Sequence, residues 1–266
     1  KELKLKGSIF DIDFTSYWKR NYNEPKSTLN EIKLKNPNVF IKNLFIYENQ
    51  NEFRGSSSIK FLNESILFDY FFKNSKIKVS SPDQKNNQSI KLNSSIELNP
   101  FYFNGEITFE KKNISFISDY ILNFITNAER EFLENLDGDL ILTLSNLEDK
   151  LLKNGKISLS INQGKIKNLN SYLEMDEIGV VKTNYIYTIK EGELIFKTKN
   201  VLNVTNQKKL AQKFQLNIKK IENIKKVFFD LDRNIDTGDV YLSNIHINEK
   251  DSQNLLEEIV KINNMI

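Results

Sequence analysis

A run of acidic and amide residues between Asp230 and Asp239 has the spacing in this sequence that most resembles a chemical site. Oxygen-bearing side chains at alternate positions can converge on a Ca²⁺ ion, as they do in an EF-hand loop. That loop needs glycine at its sixth position and glutamate at its twelfth, where this sequence has Ile235 and Tyr241. We therefore favour a strand through Leu231 followed by a polar hairpin turn, and we predict no metal site.

His246 is the single histidine of the chain, so multi-histidine metal sites are excluded. It stands between two isoleucines in an alternating segment, which indicates a solvated strand residue and not a catalytic base. The adjacent carboxylates Glu148-Asp149 and Glu257-Glu258 lack the facing geometry of a glycosidase acid and base. The common phosphate, dinucleotide, hydrolase and zinc signatures do not occur in the sequence. We predict a protein that is not an enzyme and that uses no cofactor.

The composition narrows the classes of partner. Lys plus Arg number 38 and Asp plus Glu 35, and the charges are scattered, whereas nucleic-acid binding needs a concentrated basic patch. We therefore predict no nucleic-acid partner. The longest apolar cluster, Ile66–Phe72, is interrupted by Asp69 and falls short of the roughly 20 residues that span a bilayer. The chain has no cysteine and begins at Lys1 without a targeting signal, so we expect a mature segment or a fragment of a longer protein.

Alternation of apolar and polar residues with a period of two is the dominant pattern, and it predicts strands with one face on a core. It is seen at Ile90, Leu92, Ile96 and Leu98, at Leu140, Leu142 and Leu144, at Ile157, Leu159 and Ile161, and at Phe214, Leu216 and Ile218. Glycine dipeptides suited to tight turns separate such segments: Asn104-Gly105, Asp137-Gly138, Asn154-Gly155, Gln163-Gly164, Glu191-Gly192 and Thr237-Gly238. The sequence therefore predicts a mainly β fold of antiparallel hairpins.

Helical periodicity interrupts this pattern at two main places. Residues 117–135 and 251–264 each carry an apolar stripe, which predicts an inserted amphipathic helix and a C-terminal helix. A short helical turn is also indicated around Gln207–Lys213. We predict a strand-rich N-terminal part over residues 1–116 and a second β region with the two longer helices over residues 117–266.

The segments 136–144 and 153–166 share a rhythm in which a glycine and polar residues precede an alternating strand. This rhythm resembles the C-terminal region of the AsmA-like family of bacterial envelope proteins, which is related to the TamB-type bridge-like lipid transport proteins. The likeness covers about residues 104–248. It implies a long curved sheet, forming an open groove or a sandwich-like arrangement, in the periplasm. It also implies an anchor in the inner membrane, outside the present chain, and a role in outer membrane biogenesis.

Aromatic residues are abundant, with 19 phenylalanines and 10 tyrosines, and they carry the functional hypotheses. Rings could form an ordinary core or an apolar surface that accepts acyl chains. The candidate lipid-facing residues are Phe68, Phe71, Phe101, Phe103 and Phe109. The first hypothesis is an envelope module that contacts or conducts phospholipid. The second is a structural or protein-interaction scaffold that binds other envelope proteins along a strand edge, and the third is a carbohydrate-active enzyme.

Overall fold

The computed structural model describes residues 2–9, 12–20, 27–35, 39–49, 51–61, 64–82, 89–113, 137–162, 165–168, 170–190, 193–215, 223–234 and 237–248. The chain forms two compact units. Unit 1 comprises Lys1–Thr143 and Leu159–Lys165, and unit 2 comprises Leu144–Ser158 and Ile166–Ile266. Strands dominate both units, so the predicted mainly β fold is confirmed.

Unit 1 is built from strands that pair with their sequence neighbours. Each consecutive pair from the first strand to the ninth is antiparallel. The strands are β1 Glu2–Ile9, β2 Ile12–Arg20, β3 Ser27–Leu34, β4 Val39–Asn49, β5 Glu52–Phe61, β6 Glu64–Lys73, β7 Lys76–Ser80, β8 Ile90–Leu98 and β9 Phe101–Glu110. The tenth, β10 Gly138–Ser145, pairs with β9. This arrangement confirms the predicted series of antiparallel hairpins.

Unit 2 repeats the same style of pairing with a small helix added. β11 is Leu152–Asn162, of which the residues up to Ser158 belong to unit 2. Its first part, Leu152 to Lys156, pairs with β13 Ser171–Met175, and β12 Lys165–Asn168 lies between the two strands in sequence. From β13 onward every strand pairs antiparallel with the next. These strands are β14 Gly179–Lys190, β15 Glu193–Val204, β16 Lys226–Asn234 and β17 Val240–Ile247.

A short helix, α1 Gln207–Lys213, connects β15 to the segment before β16. Asn206 caps it, since its side-chain oxygen accepts a hydrogen bond from the backbone N–H of Lys209. The predicted helical turn at this place is therefore confirmed. Leu210 of the helix is buried in a core cluster with Met175, Ile178, Val181, Leu202 and Ile224. This cluster fixes the helix on the strands of unit 2.

The glycine turns predicted from sequence divide into two groups. Gly238 has a φ of +81° between β16 and β17, so the Thr237-Gly238 turn is confirmed. Gly105 and Gly155, in contrast, lie inside β9 and β11, and Gly138 opens β10, so the turns predicted there are wrong. At Gly138 the reason is steric, because an added Cβ would overlap the carbonyl oxygen and ring of Phe103.

Other expectations lie partly or wholly outside the described residues. Both longer predicted helices, at 117–135 and 251–264, fall there, as do the dipeptides Gln163-Gly164 and Glu191-Gly192. The predicted division at 116/117 also falls in such a segment, whereas the two compact units divide at Thr143 and Leu144. The strand predicted from Phe214 is wrong at that residue, which instead ends α1. Within the part of the chain that is described, no helix has the length and apolarity needed to cross a membrane.

Candidate functional site

The sheet of unit 1 has two chemically different faces. Side chains alternate along a strand, and directly paired residues share a face, so the strand registers assign the paired side chains to one side or the other. The face that carries Trp18, Phe45, Phe53 and Tyr70 also carries Val79, Leu92, Ile96 and Phe103. We call this side the apolar face of unit 1 and the opposite side the charged face.

Aromatic rings form a continuous cluster on the apolar face. Phe53 stacks on Phe72 with ring centroids 4.6 Å apart, and it meets Tyr70 edge-on at 6.3 Å. Phe45 contacts Tyr70 at 5.7 Å and also Phe53 at 6.1 Å. The Tyr70 hydroxyl donates to the carbonyl oxygen of Leu44 at 3.2 Å, and burial raises the pKa of that hydroxyl. Tyr70 therefore stays protonated within the cluster.

A row of hydrogen-bonded polar side chains crosses the same face, and we call it the amide row. The Asn30 amide donates to the Ser16 hydroxyl at 2.8 Å, and the Asn43 amide donates to Asn30 Oδ1 at 3.1 Å. The Ser57 hydroxyl donates to Asn43 Oδ1 and ends the row. All four residues are buried, with Asn30 only 1% exposed. The amide row is therefore closed to solvent, and its members are hydrogen-bonded to one another.

Large apolar side chains are open to solvent elsewhere on this face. Leu3 and Leu5 on β1 are 55% and 44% exposed, and Leu98 and Phe101 at the β8–β9 turn are 45% and 43% exposed. The register pairs Leu98 directly with Phe101, so the two form one exposed apolar pair. Tyr47, near the end of β4, is also exposed. The apolar face thus combines a closed middle with open apolar residues toward strand ends.

The charged face carries ion pairs between neighbouring strands. They join residues that the register places opposite or near each other: Lys19 with Glu2, Lys42 with Glu31, Arg54 with Glu48, Lys73 with Glu52, Lys76 with Glu97 and Lys91 with Glu110. Such exposed pairs add little stability individually. They give this side its charged character, although Leu44, Ile46 and Phe71 also lie on it.

The five candidate residues from sequence do not share one face. Phe68 on β6 and Phe101, Phe103 and Phe109 on β9 belong to the apolar face, whereas Phe71 lies on the charged face. Phe71 is three residues from Phe68, and an odd spacing in a strand reverses the side-chain direction. Phe109 is buried at 1% exposure, Phe68 and Phe103 are half-buried, and Phe101 is exposed.

Phe71 lines a shallow groove on the charged face of unit 1 together with Leu44 and Ile46. Sequence reasoning missed the ring cluster around Phe45 and the exposed residues of β1. The alternation in β2 to β6 was the available signal, but its use requires the register between strands.

The Asp230–Asp239 run forms the hairpin that the sequence favours. β16 and β17 pair antiparallel across it, and the Asn234 side chain accepts a hydrogen bond from the Thr237 N–H at 3.1 Å. Asp230 accepts from the Asn244 amide at 2.7 Å, and Asp232 pairs with Lys197 at 3.5 Å. Residues 235–236 lie outside the description. Among the residues that are described, no three His, Cys, Asp or Glu side chains gather as a metal-binding group.

His246 and Asp149, two residues considered for catalysis, contact neighbouring parts of the fold. His246 stacks on Phe228 of the neighbouring strand, with ring centroids 5.0 Å apart and 15° between the planes. Asp149 Oδ1 accepts hydrogen bonds from the backbone N–H groups of Leu151 and Leu152 at 2.8 and 3.0 Å, which shapes the turn before β11. Glu257 and Glu258 lie outside the described residues.

No family model matches the chain, and the search of curated proteins found no match. Function must therefore be inferred from the side chains themselves. The feature with the clearest chemical meaning is the contrast between the apolar and charged faces of unit 1.

Proposed function

We propose that this chain is a non-enzymatic module of the bacterial cell envelope that contacts or conducts phospholipid along the apolar face of unit 1. It would act in the periplasm as part of a larger protein, anchored to the inner membrane by a segment outside this chain. The likeness of residues 104–248 to AsmA-like proteins is one source of this proposal. The two-faced sheet is the observation that carries it.

The exposed residues of unit 1 support a lipid ligand. On the apolar face, Leu3, Leu5, Leu98 and Phe101 expose hydrocarbon that has no hydrogen-bonding group. On the charged face, the large exposed ring of β9 is Tyr102, whose hydroxyl donates to Asp139 at 2.7 Å. Burying exposed apolar area under acyl chains contributes about 25 cal/mol per Å². Acyl chains would therefore bind the apolar face in preference to the charged one.

A structural or protein-interaction scaffold is the second candidate, and the amide row favours it. Buried, mutually hydrogen-bonded asparagines are typical of a filled interior, because an acyl chain offers no partner for an amide. On this alternative, the exposed residues at strand ends would meet another envelope protein along a strand edge. The two candidates differ in whether lipid accompanies the protein.

Native mass spectrometry with lipid extraction separates them. The protein is purified from a bacterial host in mild detergent, and co-purifying phospholipid is expected as adduct masses. Phe101→Gln should reduce the adducts, whereas Tyr102→Gln, on the other face of the same strand, should leave them unchanged. A clean protein mass from a sample that is folded by circular dichroism would favour the scaffold.

The single tryptophan gives a second, independent measurement. Trp18 lies on the apolar face, so phospholipid with brominated acyl chains should quench its fluorescence on binding. Bromine quenches only at short range, so vesicles that bind the charged face would leave Trp18 bright. Absence of quenching together with an absence of adducts would overturn the proposal.

A further inference from the structure

A groove of about 940 Å³ lies on the strands β14 to β17 of unit 2. Three lysines line it, Lys182, Lys199 and Lys226, together with the stacked pair Phe228 and His246. We call it the lysine groove. It is distinct from the apolar face of unit 1, and it consists of residues of unit 2 throughout.

The strand registers explain why these side chains converge. Lys182 pairs with Val201, Val201 with Phe228, and Phe228 with His246, which gives one straight row across four strands. Lys199 and Lys226 each stand two residues from that row on the same face, because side chains two apart in a strand point the same way. The three ammonium groups therefore border one concave surface.

Within the described residues, the three lysines of the groove have no ion-pair partner, whereas Lys42, Lys73 and Lys76 on the charged face of unit 1 each have one. Lys197 nearby pairs with Asp232 at 3.5 Å. The lining includes one carboxylate, Asp230, which accepts a hydrogen bond from Asn244. Three positive charges against one negative charge leave two positive charges in excess.

The chemistry of this lining fits a phosphate group. Ammonium groups bind phosphate oxygens as point charges, and a concave site concentrates their field. The side-chain amides of Asn184, Asn203 and Asn244 also line the groove and supply neutral donors. The Phe228 ring, which stacks on His246, offers apolar surface beside the charges for the carbon part of an ester.

We infer that the lysine groove binds the phosphate group of an anionic ester. The same group is carried by soluble phosphate esters and by phospholipid headgroups, so the source has to be decided by experiment. This inference does not depend on the proposed role of the apolar face, because it concerns other strands and another chemistry.

The test uses the intact chain and two probes. Glycerol 3-phosphate is titrated by calorimetry, and flotation is measured with phosphatidylglycerol vesicles and with phosphatidylcholine vesicles. The triple variant Lys182→Gln, Lys199→Gln and Lys226→Gln should weaken binding of the responding probe by about tenfold or more. The control triple variant Lys42→Gln, Lys73→Gln and Lys76→Gln removes the same net charge from ion-paired sites and should bind like the parent protein.

The outcomes discriminate clearly. Binding of glycerol 3-phosphate without flotation identifies a soluble ester, and flotation with phosphatidylglycerol alone identifies a headgroup; both support the inference. It is overturned if neither probe binds, or if the two triple variants lose binding equally. Quenching of Trp18 by brominated lipid should be unchanged in the groove variant, so failure of this inference and failure of the proposed function give different results.

Discussion

Trp18 stacks on Phe45 although strand β3 lies between their strands, with ring centroids 5.6 Å apart and planes 14° from parallel. The two rings meet above small side chains of β3, since Asn30 pairs with Trp18 and Thr28 pairs with Phe45. Phe45 continues this contact to Phe53 and Tyr70. One residue therefore links rings from four strands of unit 1.

Phe45→Ala should lower the free energy of unfolding by about 2 to 4 kcal/mol, because it removes three ring contacts and leaves a cavity between strands. Urea unfolding monitored by circular dichroism measures the loss. The emission of Trp18 should also shift to the red as its stacking partner disappears. Phe71→Ala, on the charged face, is the control and should cost less; an equal cost would mean that the ring cluster adds nothing beyond ordinary burial.

The amide row makes a second prediction about unit 1. Asn30→Ala should destabilise the protein by about 1 to 3 kcal/mol, because Ser16 and Asn43 lose their partner in a buried place. A double-mutant cycle compares the parent protein, Asn30→Leu, Asn43→Leu and the variant with both substitutions. The double variant should lose less stability than the two single variants lose in sum. Thermal unfolding of the four proteins gives the coupling. Strict additivity would show that the row is not a connected network.

Gly138 and Gly105 form a matched pair for a steric prediction. Alanine at 138 would overlap the carbonyl and ring of Phe103, so Gly138→Ala should cost about 1 to 3 kcal/mol. Alanine at 105 would meet Ser94 Cβ at 3.5 Å, an ordinary contact, so Gly105→Ala should be close to neutral. Denaturant midpoints check both. If Gly105→Ala were the more damaging change, the assigned packing of β9 against β10 would be wrong.

The ion pair between Lys209 of α1 and Glu177 predicts a dependence on pH. The hydrogen bond from Lys209, at 2.6 Å, holds the pKa of the Glu177 carboxyl below its usual range. A depressed folded-state pKa stabilises the fold above the unfolded-state value, and that contribution disappears as the pH falls through the folded value.

Glu177→Gln should therefore be slightly less stable than the parent protein at pH 7, and the difference should vanish at an acid pH at which Glu177 is protonated in the folded state. Thermal unfolding at both pH values measures it. Both groups are exposed, so added salt should also shrink the difference at pH 7. A difference that persists in acid would point to a packing effect of the substitution.

Sequence periodicity was sufficient to predict the fold class, because two-residue alternation is a local property that directly reports a half-buried strand. The turn at Gly238 was also predictable, because a glycine dipeptide that favours a tight turn is a local signal as well. The strand positions of Gly105, Gly138 and Gly155 were not. Gly138 and Gly155 serve the close approach of neighbouring strands, such as Phe103 beside Gly138. That neighbour relation is not encoded in a dipeptide.

The candidate site was only partly predictable for a related reason. Phe101, Phe103 and Phe109 are separated by even numbers of residues in β9, so the sequence alone puts them on one face. Which residues of β6 share that face depends on the register across β7 and β8. Phe68 shares their face and Phe71 does not. The amide row and the lysine groove also arise from register, so scattered sequence positions gave no sign of either.

In unit 1 each strand from β1 to β9 hydrogen-bonds to the strand that follows it in sequence. Such local pairing lets a chain zip up progressively from a growing edge, and distant segments need not find each other first. It also makes the hairpin of two strands the smallest segment that can be added to the sheet or removed from it without changing the other pairings. Evolution could insert or delete pairs of strands in unit 1 and preserve the alternation of side chains between its two faces. Repeat proteins change their number of repeats in a similar way.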